Sequence, residues 1–210
     1  MSEITIYSFD KCPFAQRTRM VLIEKNLPFE LVEIDVYNKP DWFSSISPYG
    51  KVPVLSHEGN TIYESAIINE YLDEVFPDTP LMPDNHFQRA KARIWIDYCS
   101  NRYLPACSQL MRDRNNQQEQ EKNLESLREI FLYMELECFE KNNEGKFWMG
   151  ENITLVDLHF APFFERFGAY EHLFGARWPE ECKNIRSWWS AIQERKSYQD
   201  TFLPLVSHIE

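Results

Sequence analysis

Cys12 is the one nucleophile in this chain whose setting would activate it. It stands where the alternating stretch 3–8 (EITIYS) gives way to the helix-forming composition of residues 14–26, and Pro13 follows it directly. Alternation at period two marks a strand, and proline suits the first turn of a helix. The sulfur should therefore face unpaired N–H groups and the positive end of a helix dipole, which favours the nucleophilic thiolate. Lys11, Arg17 and Arg19 add positive charge nearby. A strand-to-helix turn at the end of an open sheet is also where α/β folds leave a crevice for a ligand. Residue 15 is alanine, so no resolving thiol stands three residues on, and any disulfide that Cys12 forms must be resolved by another molecule.

The remaining cysteines, Cys99, Cys107, Cys138 and Cys182, lie in helical composition with no such turn beside them. They are expected to behave as small buried hydrophobes. An odd number of widely spaced cysteines argues against a disulfide framework. No C-x-x-C occurs, and His57, His86, His159, His172 and His208 fall into none of the short spacings of a zinc site, so no structural metal is expected.

Two weaker signals accompany Cys12. Val52-Pro53 lies between the turn Tyr49-Gly50 and an apolar run, and a proline entering a strand sits at an edge or in a special conformation, of which a cis peptide is one. Such a proline is either a plain turn residue or a device that leaves the Val52 backbone free to pair with an extended ligand. Glu64-Ser65 opens a helical stretch. Ser65 reads as a simple N-cap or as part of a site in which the helix start holds a carboxylate and Glu64 an ammonium, the two ends of an amino-acid head group.

The elements that would position these residues follow from periodicity. Residues 3–8, 29–36, 52–55 and 60–63 read as strands; 14–26 and 65–76 read as helices, with Ile67, Ile68, Tyr71, Leu72 and Val75 assigned to one face. The order strand, helix, strand, short helix, strand, strand, helix predicts a small mixed sheet covered by helices over residues 1–76. Residues 77–86 (PDTPLMPDNH) read as a linker, and 87–210 as an all-helical domain with helices near 87–112, 119–142, 155–167 and 184–196. Pro105 should kink or interrupt the first of these, and the Asn/Gln stretch 115–120 should join the first to the second. Thr154 and Asp157 form an acidic variant of the capping box with Ile153 as staple, which assigns Asp157 to folding.

With 210 residues and a net charge of −11, the chain is acidic, yet residues 1–53 hold six bases and seven acids. The acidity argues against nucleic acid and anionic membranes without opposing a small anion at the first domain. No apolar run approaches the roughly 18 residues that span a bilayer, and the start MSEITIYS lacks a signal-peptide pattern, so a cytosolic location is expected.

Together, CPFAQRTRMVL, NKPDWF, PYGKVPVL and IYESAIINEYLDE resemble the N-terminal thioredoxin-like domain of cytosolic glutathione transferases, most of all the omega class with its Cys-Pro-Phe-Ala cysteine. FWMGENITLVDLHFAPFFERF is similar to the capped helix of that family's second domain. The resemblance implies an α/β thioredoxin-like domain (βαβαββα) followed by an all-α domain, and glutathione as co-substrate. It implies that Cys12 forms a mixed disulfide with glutathione beside Phe14, and that Lys39 neutralises the glycyl carboxylate. Val52, before Pro53, would pair with the cysteinyl backbone, and Glu64 and Ser65 would hold the γ-glutamyl end. The implied activity is glutathione-dependent thiol transfer or dehydroascorbate reduction, by a homodimer, with the acceptor against helical-domain side chains; the sequence offers aromatics there, such as Trp95 and Tyr98, and assigns none of them. The alternatives are conventional conjugation, for which Tyr7 stands in the position of other classes' tyrosine, and a noncatalytic interaction module.

Overall fold

A computed structural model describes residues 3–140 and 145–204. The chain divides into two compact units, the first running to Met82 and taking up Lys196–Leu203, the second running from Pro83 to Arg195.

The first unit is built on a four-stranded sheet: β1 (Ile4–Ser8), β2 (Glu30–Glu33), β3 (Val54–His57) and β4 (Asn60–Tyr63), in the order β2-β1-β3-β4. β1 pairs parallel with β2 and antiparallel with β3, so Tyr7 lies between Val32 and Val54. The alternation seen in the sequence is realised directly, with Ile4, Ile6 and Ser8 buried. The strand expected over 29–36 pairs only through Glu33, because β1 ends opposite it at Ser8. β3 starts two residues later than the VPVL run, since Pro53 has no N–H to give a ladder. Glu58 and Gly59, both at positive φ, close the β3–β4 hairpin.

Helix α1 (Pro13–Glu24) buries Ala15, Met20, Val21 and Leu22, and α2 (Ser65–Val75) buries Ile68 and Leu72. The buried face of α2 is rotated from the one read in the sequence. Ile67 is 60% and Val75 44% exposed, whereas Asn69 and Asp73 point inward. Asp73 explains the rotation: its carboxylate accepts from Lys25 Nζ at 3.0 Å and from the N–H groups of Leu81 and Met82 at 2.6 and 3.1 Å. Lys25 also donates to the Thr79 carbonyl at 2.6 Å, so a buried ion pair pins the segment after α2. The segment Lys196–Leu203 joins this unit through Gln16, which donates to the Thr201 carbonyl at 3.2 Å, and through Ser197, which donates to Glu24 at 2.5 Å.

The second unit is helical: α3 (His86–Tyr98), α4 (Leu104–Arg112), α5 (Gln117–Met134), α6 (Leu155–Glu165), α7 (Phe167–Phe174) and α8 (Lys183–Gln193). Pro105 falls in the first turn of α4, and a π-helical turn, Cys99–Tyr103, separates it from α3; the missing N–H divides the expected single helix. Asn116 caps α5 by accepting from Glu119 N–H, so the Asn/Gln stretch starts a helix as well as joining two. The range 119–142 ends in a second π-helical segment, Glu135–Glu140, and residues 141 and 142, like His208, lie outside the described residues. The core is aromatic, centred on Trp148 stacked on Phe160 with ring centroids 4.0 Å apart, and on Phe164, Phe131 and Trp188. Among the described residues no helix is long and apolar enough to cross a membrane.

Candidate active site

Cys12 occupies the N-cap position of α1, in extended conformation, with Pro13 as the first helical residue. Its turn is held from inside the protein. Arg19, one of the two arginines read above only as local charge, is buried and donates to Ser8 Oγ (2.9 Å) and to the carbonyls of Phe9 (3.4 Å) and Asp10 (3.0 Å). The Cys12 N–H bonds back to the Phe9 carbonyl, and Sγ lies 3.8 Å from the Val52 carbonyl oxygen. The Val52–Pro53 peptide is cis.

Around the sulfur, an open cavity of about 360 Å³ in the first unit is lined by Cys12, Phe14, Lys39, Val52, Pro53, Glu64 and Ser65, so every candidate residue reaches one place. These residues come from the β1–α1 turn, the loop before β3 and the start of α2. Val36, Ser47, Tyr49, Gly50, Lys51 and Tyr63 complete the wall. Lys51 is a cation that the sequence reading left without a role. Its backbone is fixed by Ser47, whose hydroxyl accepts from Lys51 N–H at 2.9 Å and donates to the Lys51 carbonyl at 2.8 Å. Gly50 turns this loop at φ +60°, and Lys39 Nζ sits over it, 3.8 Å from where a β-carbon would stand.

The opposite wall departs from the simple cap. Glu64, not Ser65, holds the N-cap position of α2, at φ +69° and with no side-chain cap. A non-glycine residue held there costs on the order of 1–3 kcal/mol, a kind of strain that gathers at ligand sites. Ser65 is the first helical residue, and its hydroxyl accepts from Arg17 Nε at 2.8 Å. The helix start is thus left without a side-chain cap at the cavity, one ammonium-bearing wall stands across from it, and a half-buried thiol lies between.

Residues 6–80 match the family "Glutathione S-transferase, N-terminal domain" and residues 97–196 match "Glutathione S-transferase, C-terminal domain". Glutathione S-transferase U25 of Arabidopsis thaliana is 33% identical, over 93% of this chain and 86% of its own. Glutathione S-transferase omega-1 of Sus scrofa is 36% identical, over 80% of this chain and 68% of its own. The chain belongs to the glutathione S-transferase family. The crystal structure of rice GST1 in complex with glutathione superposes with a TM-score of 0.89 at 30% identity, covering 99% of this chain and 93% of that one. In this transferase the four other cysteines are buried while Cys12 is half-buried. Burial pushes the thiols of Cys107 and Cys182 up to about 12 and that of Cys138 higher still, where they are inert. Tyr7 packs its ring against Trp42 at 5.7 Å and is not brought to the cavity wall. Trp95 lines a separate cavity of about 450 Å³ in the helical unit of the transferase, with Tyr133 and Trp148, while Tyr98 stacks on Tyr133.

Proposed function

We propose that this glutathione S-transferase binds glutathione in the Cys12 cavity and acts as an omega-like thiol transferase. The observation that carries the reading is that the single half-buried thiol lines the cavity that also gathers Lys39, Lys51, Glu64 and Ser65. An extended tripeptide with a carboxylate at each end and an ammonium at one suits those groups. Lys39, with Lys51 beside it, would neutralise the glycyl carboxylate. Val52 would pair with the cysteinyl backbone against Pro53 and Phe14. The start of α2 at Ser65 would take the γ-glutamyl carboxylate, and Glu64 the ammonium.

In the reaction, the Cys12 thiolate attacks the glutathionyl sulfur of a mixed disulfide. A Cys12–glutathione disulfide forms as the other thiolate leaves and takes up a proton. A second glutathione thiolate then attacks the glutathione sulfur of that disulfide, releasing oxidised glutathione and the Cys12 thiolate. With an oxidised carbon acceptor such as dehydroascorbate, the thiolate adds to the carbonyl carbon instead. One glutathione attacks the sulfur of the adduct and expels the reduced product; a second regenerates Cys12. Ala15 leaves no neighbouring thiol to intervene, which fits the monothiol route. The reading includes the homodimeric assembly and cytosolic location that the resemblance implies.

Cys12→Ser tests the assignment. Reduction of a glutathionylated model peptide should fall by at least about 100-fold, as expected when a nucleophile is removed. Reduced glutathione should bind the variant within a few-fold of the parent by calorimetry. Undiminished reduction would sink the thiol-transfer route, and failure of the parent protein to bind glutathione would sink the site.

A further inference from the structure

Arg17 stands behind the cavity wall, one turn into the helix that Cys12 begins, and is 4% exposed. Its Nε donates to Ser65 Oγ at 2.8 Å, across from α1 to the first residue of α2. The guanidinium carbon also lies 5.0 Å from the centroid of the Phe14 ring, another part of the wall. Phe14 and Ser65 are therefore tied together through one buried cation on the helix that Cys12 begins.

The direction of the Arg17–Ser65 bond has a chemical consequence. A guanidinium can only donate, so the Ser65 oxygen must be the acceptor. With that lone pair engaged, the hydroxyl hydrogen turns away from Arg17 and becomes the donor offered to whatever Ser65 meets in the cavity. Glu64, the neighbouring residue at φ +69°, offers only acceptors when ionised. Positive charge behind Ser65 and negative charge at Glu64 give the two adjacent positions opposite preferences.

Resting on the glutathione-site reading above, we propose that Arg17 is a positioning residue that sets the polarity of the amino-acid subsite. By holding Ser65 as a donor, it directs the carboxylate of the head group to Ser65 and leaves the ammonium to Glu64.

The test compares reduced glutathione with an analogue whose γ-glutamyl residue is replaced by 4-aminobutanoyl, which keeps the amine and lacks only the α-carboxylate. Both are titrated calorimetrically into the full-length protein and into Arg17→Met. The parent should prefer glutathione by about 30-fold, in the range of a hydrogen bond to a charged group. Arg17→Met should reduce that preference at least about 3-fold by weakening glutathione alone, with the analogue bound as in the parent and the N–H groups at the start of α2 keeping the remainder. A variant that weakens both ligands equally, or that keeps the parent's preference, would overturn the proposal and leave Arg17 a structural brace. If Arg17→Met does not fold, Arg17→Lys, which keeps the charge but not the Nε donor, decides in the same way: a preference reduced at least about 3-fold supports the proposal, and a full one overturns it. Absence of glutathione binding to the parent overturns the underlying site reading instead, so the two failures are distinct.

Discussion

At the scale of the residue, five thiols of one type are separated by burial alone. Cys12 sits at a helix start with its side chain half-buried at a cavity, while the other four are enclosed. Because the thiolate is the reactive form, Cys107, Cys138 and Cys182, whose thiols burial pushes upward, should not compete with Cys12 at neutral pH. Native protein treated with iodoacetamide at pH 7.5 (about the middle of the physiological range) should therefore take up one equivalent, at Cys12, and five only after denaturation. Mass spectrometry of the alkylated peptides reads this directly, and native labelling spread over the helical unit would refute it. The place of Cys12 at a helix start is legible in the sequence because it depends on a local pattern, a strand end followed by Pro13. Arg17 and Arg19 were legible only as charge. Their partners Ser65 and Ser8 lie 48 and 11 residues away, and the direction of a buried guanidinium is decided by packing that no spacing encodes. Lys51 was missed for a related reason: a lysine beside a turn glycine carries no signal until Ser47 closes the loop around it.

At the scale of the element, the existence and order of the strands are legible in the sequence, while their ends, the start of α2 and helix faces are less so. The order of strands and helices, with a short 3-10 helix (Asp41–Ser45) between β2 and β3, follows from alternation and breakers, which are local. The inward face of α2 does not, because the buried pair Lys25–Asp73 overrides the apolar stripe and leaves Ile67 and Val75 outside. Helices α7 and Lys196–Gln199 carried too few residues for a period to show. The capping box at Thr154 was legible and is formed, with the Asp157 carboxylate accepting from Thr154 N–H at 2.7 Å. What the sequence could not disclose is the rest of its work. Asp157 also accepts from Trp148 N–H at 2.7 Å and from Trp188 Nε1 at 2.8 Å, joining three segments of the aromatic core. Complete burial raises its carboxyl above the ordinary range, and these donors pull it back. Asp157→Ala should strand several buried donors and cost about 4 kcal/mol. For a chain of this length that corresponds to a melting temperature lower by about 10 °C. Asp157→Asn, which keeps one acceptor oxygen, should fall between. A melting temperature for the alanine variant within about 2 °C of the parent would show the network to be dispensable.

At the scale of the whole molecule, chemistry and stability are divided between the two units. The first carries the half-buried thiol and the cavity around it; the second carries the aromatic core and a set of thiols and phenols that burial keeps protonated. Besides the three cysteines, Tyr103 is pushed well above the ordinary phenol range and Tyr170 up to about 12. Each of these folded-state values lies above the unfolded one. Their stabilising contribution is therefore complete below the ordinary thiol value of 9.0 and is lost as pH rises toward about 12. In that window the unfolded chain gives up protons that the folded chain retains, so stability must fall with rising pH. Cys107, almost wholly buried, contributes a slope on the order of 1 kcal/mol per pH unit, and the other groups add in the same direction. Melting temperature should accordingly be flat from pH 7 to about 8.5 and then decline by several degrees per unit up to about pH 11. Cys107→Ala, although less stable at neutral pH from the small void it leaves, should show a shallower decline, because one of the groups responsible has been removed. The decline should be reported by near-UV circular dichroism of the tryptophan-rich helical unit, where these groups lie. A melting temperature that stays constant across pH 9 to about 11 would contradict the assignment of these buried thiols and phenols as protonated members of the core.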